Sequence, residues 1–383
     1  MRIVYVFPEL TIKGGADRII IEKANYFALR GHEVIIVTES QMGRPTSFPL
    51  DSSVKHIDMG LDFNKQYKQS FWGRAFTYIT LMYEYKKKLK NILIQEKPDI
   101  VITTLGRSLE FLTDIPDGSV KIGEAHTTKL HLRSFDLMEQ RGGIYKLIAS
   151  YERRKMYRNV SKLKALVLLT PEDAEDWKGM TKTYVIPNPL QEIPTRYSSL
   201  DNKQAIMVGR YNDAKGYDYL IPAWEIVHKR HPEWVLHVYG SGEYYQQVVD
   251  WVEERHLGDT VILHNPTNQI MEKYLESSIC VLSSRYEGFS MVLAEAMSCG
   301  VPCVAFDCPH GPRHIIRHLE DGILVDYLNI QALANGICRL IEDESLRRQL
   351  GANARNNILR FSKDKIMKKW ENLFVEIAPV SGS

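Results

Sequence analysis

The chain has 383 residues, 44% of them hydrophobic and 25% charged, with a formal net charge of +2 at pH 7. That composition can bury a large core, and two cores are expected at this length. No run is long and apolar enough to span a bilayer, and no low-complexity tract or short-period repeat occurs. The charge is unevenly placed. Residues 1–185 hold 29 Lys and Arg against 22 Asp and Glu, whereas the remainder holds 20 against 25. A basic first half suits an anionic partner surface. The cysteines (Cys280, Cys299, Cys303, Cys308 and Cys338) form no C-x-x-C pair, and Met1-Arg2 leads straight into a strand. An odd cysteine count without a secretory leader points to the reducing cytoplasm.

Taken in order, Arg2–Phe7 predicts a first strand and Pro8–Gly15 a loop that ends in Gly14-Gly15. Asp17–Leu29 predicts a helix closed by Gly31, and Val34–Val37 a second strand. Two glycines at a helix start can offer backbone amides to a phosphate or an acceptor. Glu39 follows at about a ribose-binding distance, so a dinucleotide site is conceivable, but the full G-x-G-x-x-G is missing. Ile100–Thr103, Val120–Gly123 and Ala165–Leu169 predict further strands. His126 lies just after the second of these, in Gly-Glu-Ala-His126-Thr-Thr128. A lone histidine is more often structural than catalytic. The Pro-, Ser- and Thr-rich stretch from Ile186 to Leu200 predicts a linker.

Beyond it the same rhythm restarts. Ala205–Val208, Val235–Val238, Val261–Leu263, Cys280–Leu282 and Pro302–Ala305 predict strands. Tyr217–His231, Glu243–Arg255, Gln269–Glu276 and Met291–Met297 predict helices. Regular alternation of strand and helix implies parallel sheets with helices on both faces, hence two α/β domains.

The stretch from Ser284 to Gly300 is the most informative. Glu287 sits on a loop at the carboxyl end of a strand, where open α/β sheets bind ligands. Gly288 permits a tight turn or a close approach, and Ser290 is a suitable N-cap. The amides of Phe289, Ser290, Met291 and Val292 are orphan donors of the helix start, which favour an anion. Glu295 lies eight residues after Glu287 and is placed to reach ribose hydroxyls. The same spacing also fits a buried strand-to-helix turn with two solvated acids. Val208-Gly209-Arg210 continues through Lys215-Gly216 between a strand and a helix. Arg210 supplies a fork for phosphate oxygens and Lys215 a point charge, although an ordinary surface loop reads the same way. Tyr239-Gly240-Ser-Gly242 follows the next strand with two glycines that allow close backbone approach.

In their order these pieces resemble the retaining glycosyltransferases of family 4, with the GT-B fold: two Rossmann-like parallel-sheet domains facing across a cleft. The resemblance is densest from Ala205 to Val325 and includes Phe306-Asp-Cys-Pro-His-Gly-Pro312. That last motif is similar to enzymes of bacterial polysaccharide and lipid-linked glycan biosynthesis. The resemblance implies an acceptor-binding domain over 1–189 and a nucleotide-sugar domain over 190–362. It also implies a closing helix over 363–383 that crosses back to the first domain. It implies transfer of a hexose or N-acetylhexosamine from a nucleotide diphosphate sugar to a glycan or polyprenyl-linked glycan acceptor.

In that reading Glu287 holds the donor sugar's hydroxyls, Glu295 the ribose, and Phe289–Val292 the sugar and β-phosphate. Arg210 and Lys215 neutralise the departing diphosphate. His126 sits near the reacting carbon, and Gly14-Gly15 lines the phosphate and acceptor side. No metal is implied, and no Asp-x-Asp occurs. Glu287 is a positioning residue and no enzymatic nucleophile is assigned. His314 stands where relatives commonly carry an acid. The His264-Asn265-Pro266 loop, expected near the base, leans the reading to uracil. A binding-only partner subunit, a sugar-nucleotide epimerase and a phosphorylase remain alternatives on the same architecture.

Lys65–Lys90 carries Lys65, Lys68, Arg74, Lys86, Lys87, Lys88 and Lys90 against one acid, Glu84, with Phe71, Trp72, Phe76, Tyr78, Tyr83 and Tyr85 interleaved. A basic, aromatic helix can lie on an anionic membrane surface, and equally can cover a core with its charges solvated. Docking to the inner face of the membrane is expected on the first reading. Nucleic acid is not expected, since no recognised module accompanies the charge.

Overall fold

Short runs rich in Val, Ile and Leu, buried on both faces, build two all-parallel sheets. The computed structural model describes residues 1–11, 14–68, 70–134, 138–139 and 142–378. The chain divides into two units, Met1–Pro187 with Ile366–Ser383, and Asn188–Lys365.

The first unit contains β1 (Arg2–Phe7), β2 (Glu33–Thr38), β3 (Lys55–Asp58), β4 (Ile100–Thr103), β5 (Val120–Glu124), β6 (Ala165–Leu168) and β7 (Thr183–Val185). They pair in the order β3-β2-β1-β4-β5-β6-β7. Parallel neighbours need crossovers, supplied here by α1 (Gly15–Leu29), α2 (Phe71–Glu96), α3 (Gly143–Val160) and α4 (Pro171–Asp176). Tyr85, Leu89 and Leu93 of α2 pack on Val4, Val6 and Val101. Met156 and Val160 of α3 pack on Leu166 and Leu168. The edge strands β3 and β7 are absent from the sequence reading. Lys55-His-Ile-Asp58 is mostly polar and partly exposed, and Thr183-Tyr-Val185 has only three residues. Both lack the apolar run that identifies the central strands.

The second unit contains β8 (Gln204–Val208), β9 (Val235–Tyr239), β10 (Val261–His264), β11 (Ile279–Leu282), β12 (Cys303–Phe306) and β13 (Gly322–Val325), in the order β10-β9-β8-β11-β12-β13. Its helices are α5 (Tyr217–Arg230), α6 (Tyr245–Glu254), α7 (Ile270–Leu275), α8 (Met291–Ser298), α9 (Pro312–Ile315), α10 (Ile330–Glu342) and α11 (Glu344–Asn357). The fully buried Trp224 of α5 and Ile337 of α10 belong to one cluster with Met207 of β8 and Val304 of β12.

The last helix, α12 (Lys363–Ile377), joins the first unit from Ile366 onward. Its Trp370 and Phe374 are buried, and the Phe374 ring centroid lies 5.1 Å from that of Phe27 on α1. All five cysteines are free and buried. Among the described residues no helix is long and apolar enough to cross a membrane.

Candidate functional site

β8 is the pivot of the second sheet. The chain moves outward from it to β9 and β10, then returns to place β11 on its other side. The loops leaving β8 and β11 therefore part at the carboxyl edge, and this switch point is where open α/β sheets make a ligand crevice. Lys215 comes from one loop and Glu287 from the other. Lys215 Nζ donates to Glu287 Oε1 at 2.6 Å, and Ser284 Oγ donates to the same oxygen at 2.7 Å. Their side chains are only 18% and 10% exposed, so the pair is shielded from water. Charge-assisted bonds of this length are strong ones.

The backbone around them is close-packed. An added Cβ at Gly216, where φ is +61°, would sit 2.2 Å from the Ser283 carbonyl oxygen. Ser283 Oγ donates to the Lys215 carbonyl at 2.8 Å, and the Arg285 amide to that of Ala214 at 2.8 Å. The Lys215 stem lies against Gly209, whose added Cβ would be 3.2 Å from Lys215 Cδ. Gly240 proves to serve loop packing: an added Cβ there would be 1.9 Å from the Gly209 carbonyl oxygen. The Tyr211 amide donates to Ser241 O at 2.9 Å and the Tyr244 amide to Tyr211 O at 3.0 Å. The loops after β8 and β9 are thus joined backbone to backbone.

Glu287 is followed by the half-buried Gly288 and the buried Phe289, whose ring meets Phe361 edge-on at 5.1 Å. Ser290 holds the N-cap position of α8 with extended backbone, but its side chain makes no capping bond. Its Oγ is buried without a hydrogen-bond partner among the described residues, which corrects the expectation of a side-chain cap. Met291 and Val292 are half-buried on the first turn. One turn on, Glu295 Oε2 accepts from the Tyr274 hydroxyl of α7 at 3.3 Å. Arg210 is exposed and forms no ion pair among the described residues, so the two cations of this loop differ: Lys215 is engaged, Arg210 extended to solvent.

The loop after β12 passes beside Glu287. His310 forms a parallel bridge with it, and an added Cβ at Gly311 would fall 2.6 Å from Glu287 Cβ. Burial, and next the Glu287 charge, push the Cys308 thiol up to about 12, so it is neutral and unreactive. His314 lies on α9, where its carbonyl accepts from Arg360 Nη2 at 3.3 Å. At the ends of β9 and β10, the Tyr239 and His264 rings stack at 4.4 Å and 10°, and His237 Nδ1 lies 2.9 Å from His264 Nε2. Burial lowers the pKa of both histidines.

In the first unit Gly14 is the N-cap of α1 and Gly15 its first residue, exposed, with open space where a Cβ would go. His126 follows β5 and is nearly buried; its Nε2 lies 3.3 Å from Glu124 Oε1 without hydrogen-bond alignment. Burial pushes its pKa down, Glu124 pulls it up and Lys23 lowers it again, so the ring is neutral at pH 7. Lys23 and Glu124 are bonded to each other and fully buried, with Lys23 Nζ 4.1 Å from the Trp370 ring centroid. Glu39 is buried and paired with Arg107 at 3.0 Å, an internal partner where the dinucleotide reading would need a ribose.

Ser284, Tyr274, Glu124 and Lys23 escaped the sequence reading. Lys23 carried a signal: it falls on the same helix face as Ile19, Ile20 and Phe27, a core position that rejects an unpaired charge. Away from these loops, His231, Cys338 and Glu342 bring their ligand atoms within 4.8 Å of one another at the carboxyl ends of α5 and α10. Glu342 is already held by Arg230 at 2.6 Å and His231 at 2.9 Å.

Residues 192–357 match the family described as glycosyl transferases group 1. An exopolysaccharide phosphotransferase of Streptomyces coelicolor is 37% identical over 56% of this chain, but the chain spans only 23% of that protein. An uncharacterized glycosyltransferase of Haemophilus influenzae is 27% identical over 94% of this chain and 96% of its own length. The amylovoran biosynthesis glycosyltransferase AmsD of Erwinia amylovora is 32% identical over 49% of this chain and 52% of its own. Among solved structures, S. aureus TarM in complex with fondaparinux, alpha-GlcNAc-glycerol and UDP superposes with a TM-score of 0.79. It covers 98% of this chain and 100% of that one at 17% identity, a likeness of fold. The group 1 match spans the loops that carry Lys215 and Glu287 and the helix that carries Glu295, and the two parallel sheets are those of the GT-B architecture.

Proposed function

We propose that the protein transfers a hexose or N-acetylhexosamine from a nucleotide diphosphate sugar, UDP preferred, to a glycan or lipid-linked glycan, retaining anomeric configuration without a metal. The observation that carries this reading is the Lys215–Glu287 pair at the switch point, just ahead in sequence of the α8 N-terminus, which the Ser290 side chain does not cap. A diphosphate attracts Lys215 and Arg210, and its oxygens suit the helix amides. Glu287, fixed through Ser284, orients sugar hydroxyls, and Glu295, fixed through Tyr274, binds ribose. The stacked Tyr239 and His264 offer flat surface to a base, and the TarM structure contains UDP. Stabilising charge on the leaving group with preorganised donors is the main catalytic term in this reading.

Incubation with a panel of nucleotide sugars, following nucleotide release, tests the assignment. Lys215→Met and Glu287→Gln should each lower turnover by about 10²–10³-fold. Chelators should leave the rate unchanged. Turnover unaffected by either substitution refutes it, and binding of nucleotide sugar without transfer to any acceptor would indicate a partner subunit. The relative named a phosphotransferase makes one more reading worth separating. Sugar transfer releases the nucleoside diphosphate, whereas sugar-phosphate transfer releases the monophosphate.

A further inference from the structure

α2 and α3 both cover one face of the first unit's sheet. Each crossover advances the chain in the same direction along the strand order, and right-handed crossovers then lie on the same face. The register agrees, because Val6, Thr103, Gly123 and Leu166 align across β1, β4, β5 and β6. Glu110 ties the two helices together. Its Oε1 accepts from the Tyr78 hydroxyl of α2 at 3.3 Å, and its Oε2 from Lys155 Nζ of α3 at 2.7 Å.

The outward faces of the two helices repeat one pattern. On α2, Phe76, Ile79 and Tyr83 are 73%, 66% and 73% exposed, spaced i, i+3, i+7 on one side. Lys86, Lys87 and Lys90, all exposed, continue that side. On α3, Leu147 and Tyr151 are 72% and 66% exposed, and the exposed Arg154 and Arg158 continue at i+7 and i+11. Large apolar side chains therefore lead and cations follow in both helices. Crossover helices run antiparallel to their strands, so both apolar ends lie at the carboxyl edge of the sheet and both basic ends toward the amino edge. The acid closest to the α2 row, Glu84, is held by Lys88 at 2.8 Å. Of the Lys65–Lys90 stretch read from the sequence, Gln69 and the side chains of Lys68, Phe71 and Trp72 lie outside the described residues, and the pattern does not depend on them.

We infer that the paired outer faces of α2 and α3 dock on an anionic lipid bilayer, the apolar rows entering the headgroup boundary and the basic rows meeting lipid phosphates. Apolar burial and attraction to anionic lipid together drive binding of such faces. A second copy of the chain is the wrong occupant, because it would set two like-charged basic rows against each other. The inference stands apart from the transfer reaction, and its test needs no substrate.

Co-sedimentation of the full chain with vesicles of equal phosphatidylcholine and phosphatidylglycerol should pellet it at low salt. Vesicles of phosphatidylcholine alone should pellet much less. Lys86→Glu with Lys87→Glu should weaken binding on the order of tenfold or more. Leu147→Asp with Tyr151→Asp should do likewise at unchanged charge on α2, with circular dichroism showing that both variants fold. Arg339→Glu with Lys365→Glu, the same change of charge on the second unit, should leave binding as it was. Equal pelleting with neutral and anionic vesicles overturns the inference, as does wild-type binding by the α3 variant. Self-association in light scattering that the same α2 and α3 substitutions abolish overturns it too.

Discussion

Single residues do two kinds of work here. Lys215 and Glu287 neutralise each other across 72 positions of sequence, and neither could have been matched to the other from spacing alone. Each was legible separately, because a strand followed by a loop with glycine and charge marks the ligand edge of an α/β sheet. Their partners were not: Ser284 is one serine among several, and Tyr274 reaches Glu295 from another helix. His126 illustrates the second kind. It ordinarily titrates near 6.5 when unfolded, and burial lowers that value in the fold. Between the two values the unfolded chain binds the extra proton, so the histidine's contribution is complete above about pH 6.5 and is lost as pH falls toward the folded value. His32 and His56 are lowered by burial as well, so the first unit should weaken with acid for several reasons. His126→Gln should therefore show a smaller fall in melting temperature between about pH 7.5 and about pH 5.5 than the parent chain. An identical fall would show that His126 charges without cost.

Among the elements, the strands with continuous apolar runs were plain in the sequence, whereas β3, β7 and β13 were not. Edge strands need fewer apolar residues, and Gly322-Ile-Leu-Val325 is too short to separate from a loop. The loops after β8 and β9 gave glycines whose purpose only packing reveals. Gly240 is required because Gly209 comes so close. Gly240→Ala should destabilise the second unit by about 1–3 kcal/mol, the usual cost of forcing a backbone shift in a packed region. Urea denaturation followed by tryptophan fluorescence would measure it, since Trp224 and Trp234 lie in that unit's core. Stability equal to the parent would show that the two loops can separate freely.

For the whole molecule, two α/β halves were readable from the alternation of strand and helix, but the side chains that hold α12 were not. Trp370 lies over Lys23, and Phe374 packs on Phe27, contacts spanning some 350 residues of chain. Deleting residues 366–378 uncovers a buried lysine paired with a buried glutamate. A charge pair exposed on one side and still desolvated on the other is costly to keep. Hydrogen exchange should then show loss of protection in β1, β5 and α1, with the amides of β8, β11 and β12 unchanged. Unchanged protection in β1 would mean that α12 only decorates the unit.

That same helix sets an order of events during synthesis. Residues 188–365 leave the ribosome as an uninterrupted stretch, so the second unit has its whole sequence available before the first has received α12. Folding domain by domain as the chain emerges is the general rule. Here the half that starts first finishes last, with the Lys23–Glu124 pair awaiting Trp370 through the synthesis of everything between.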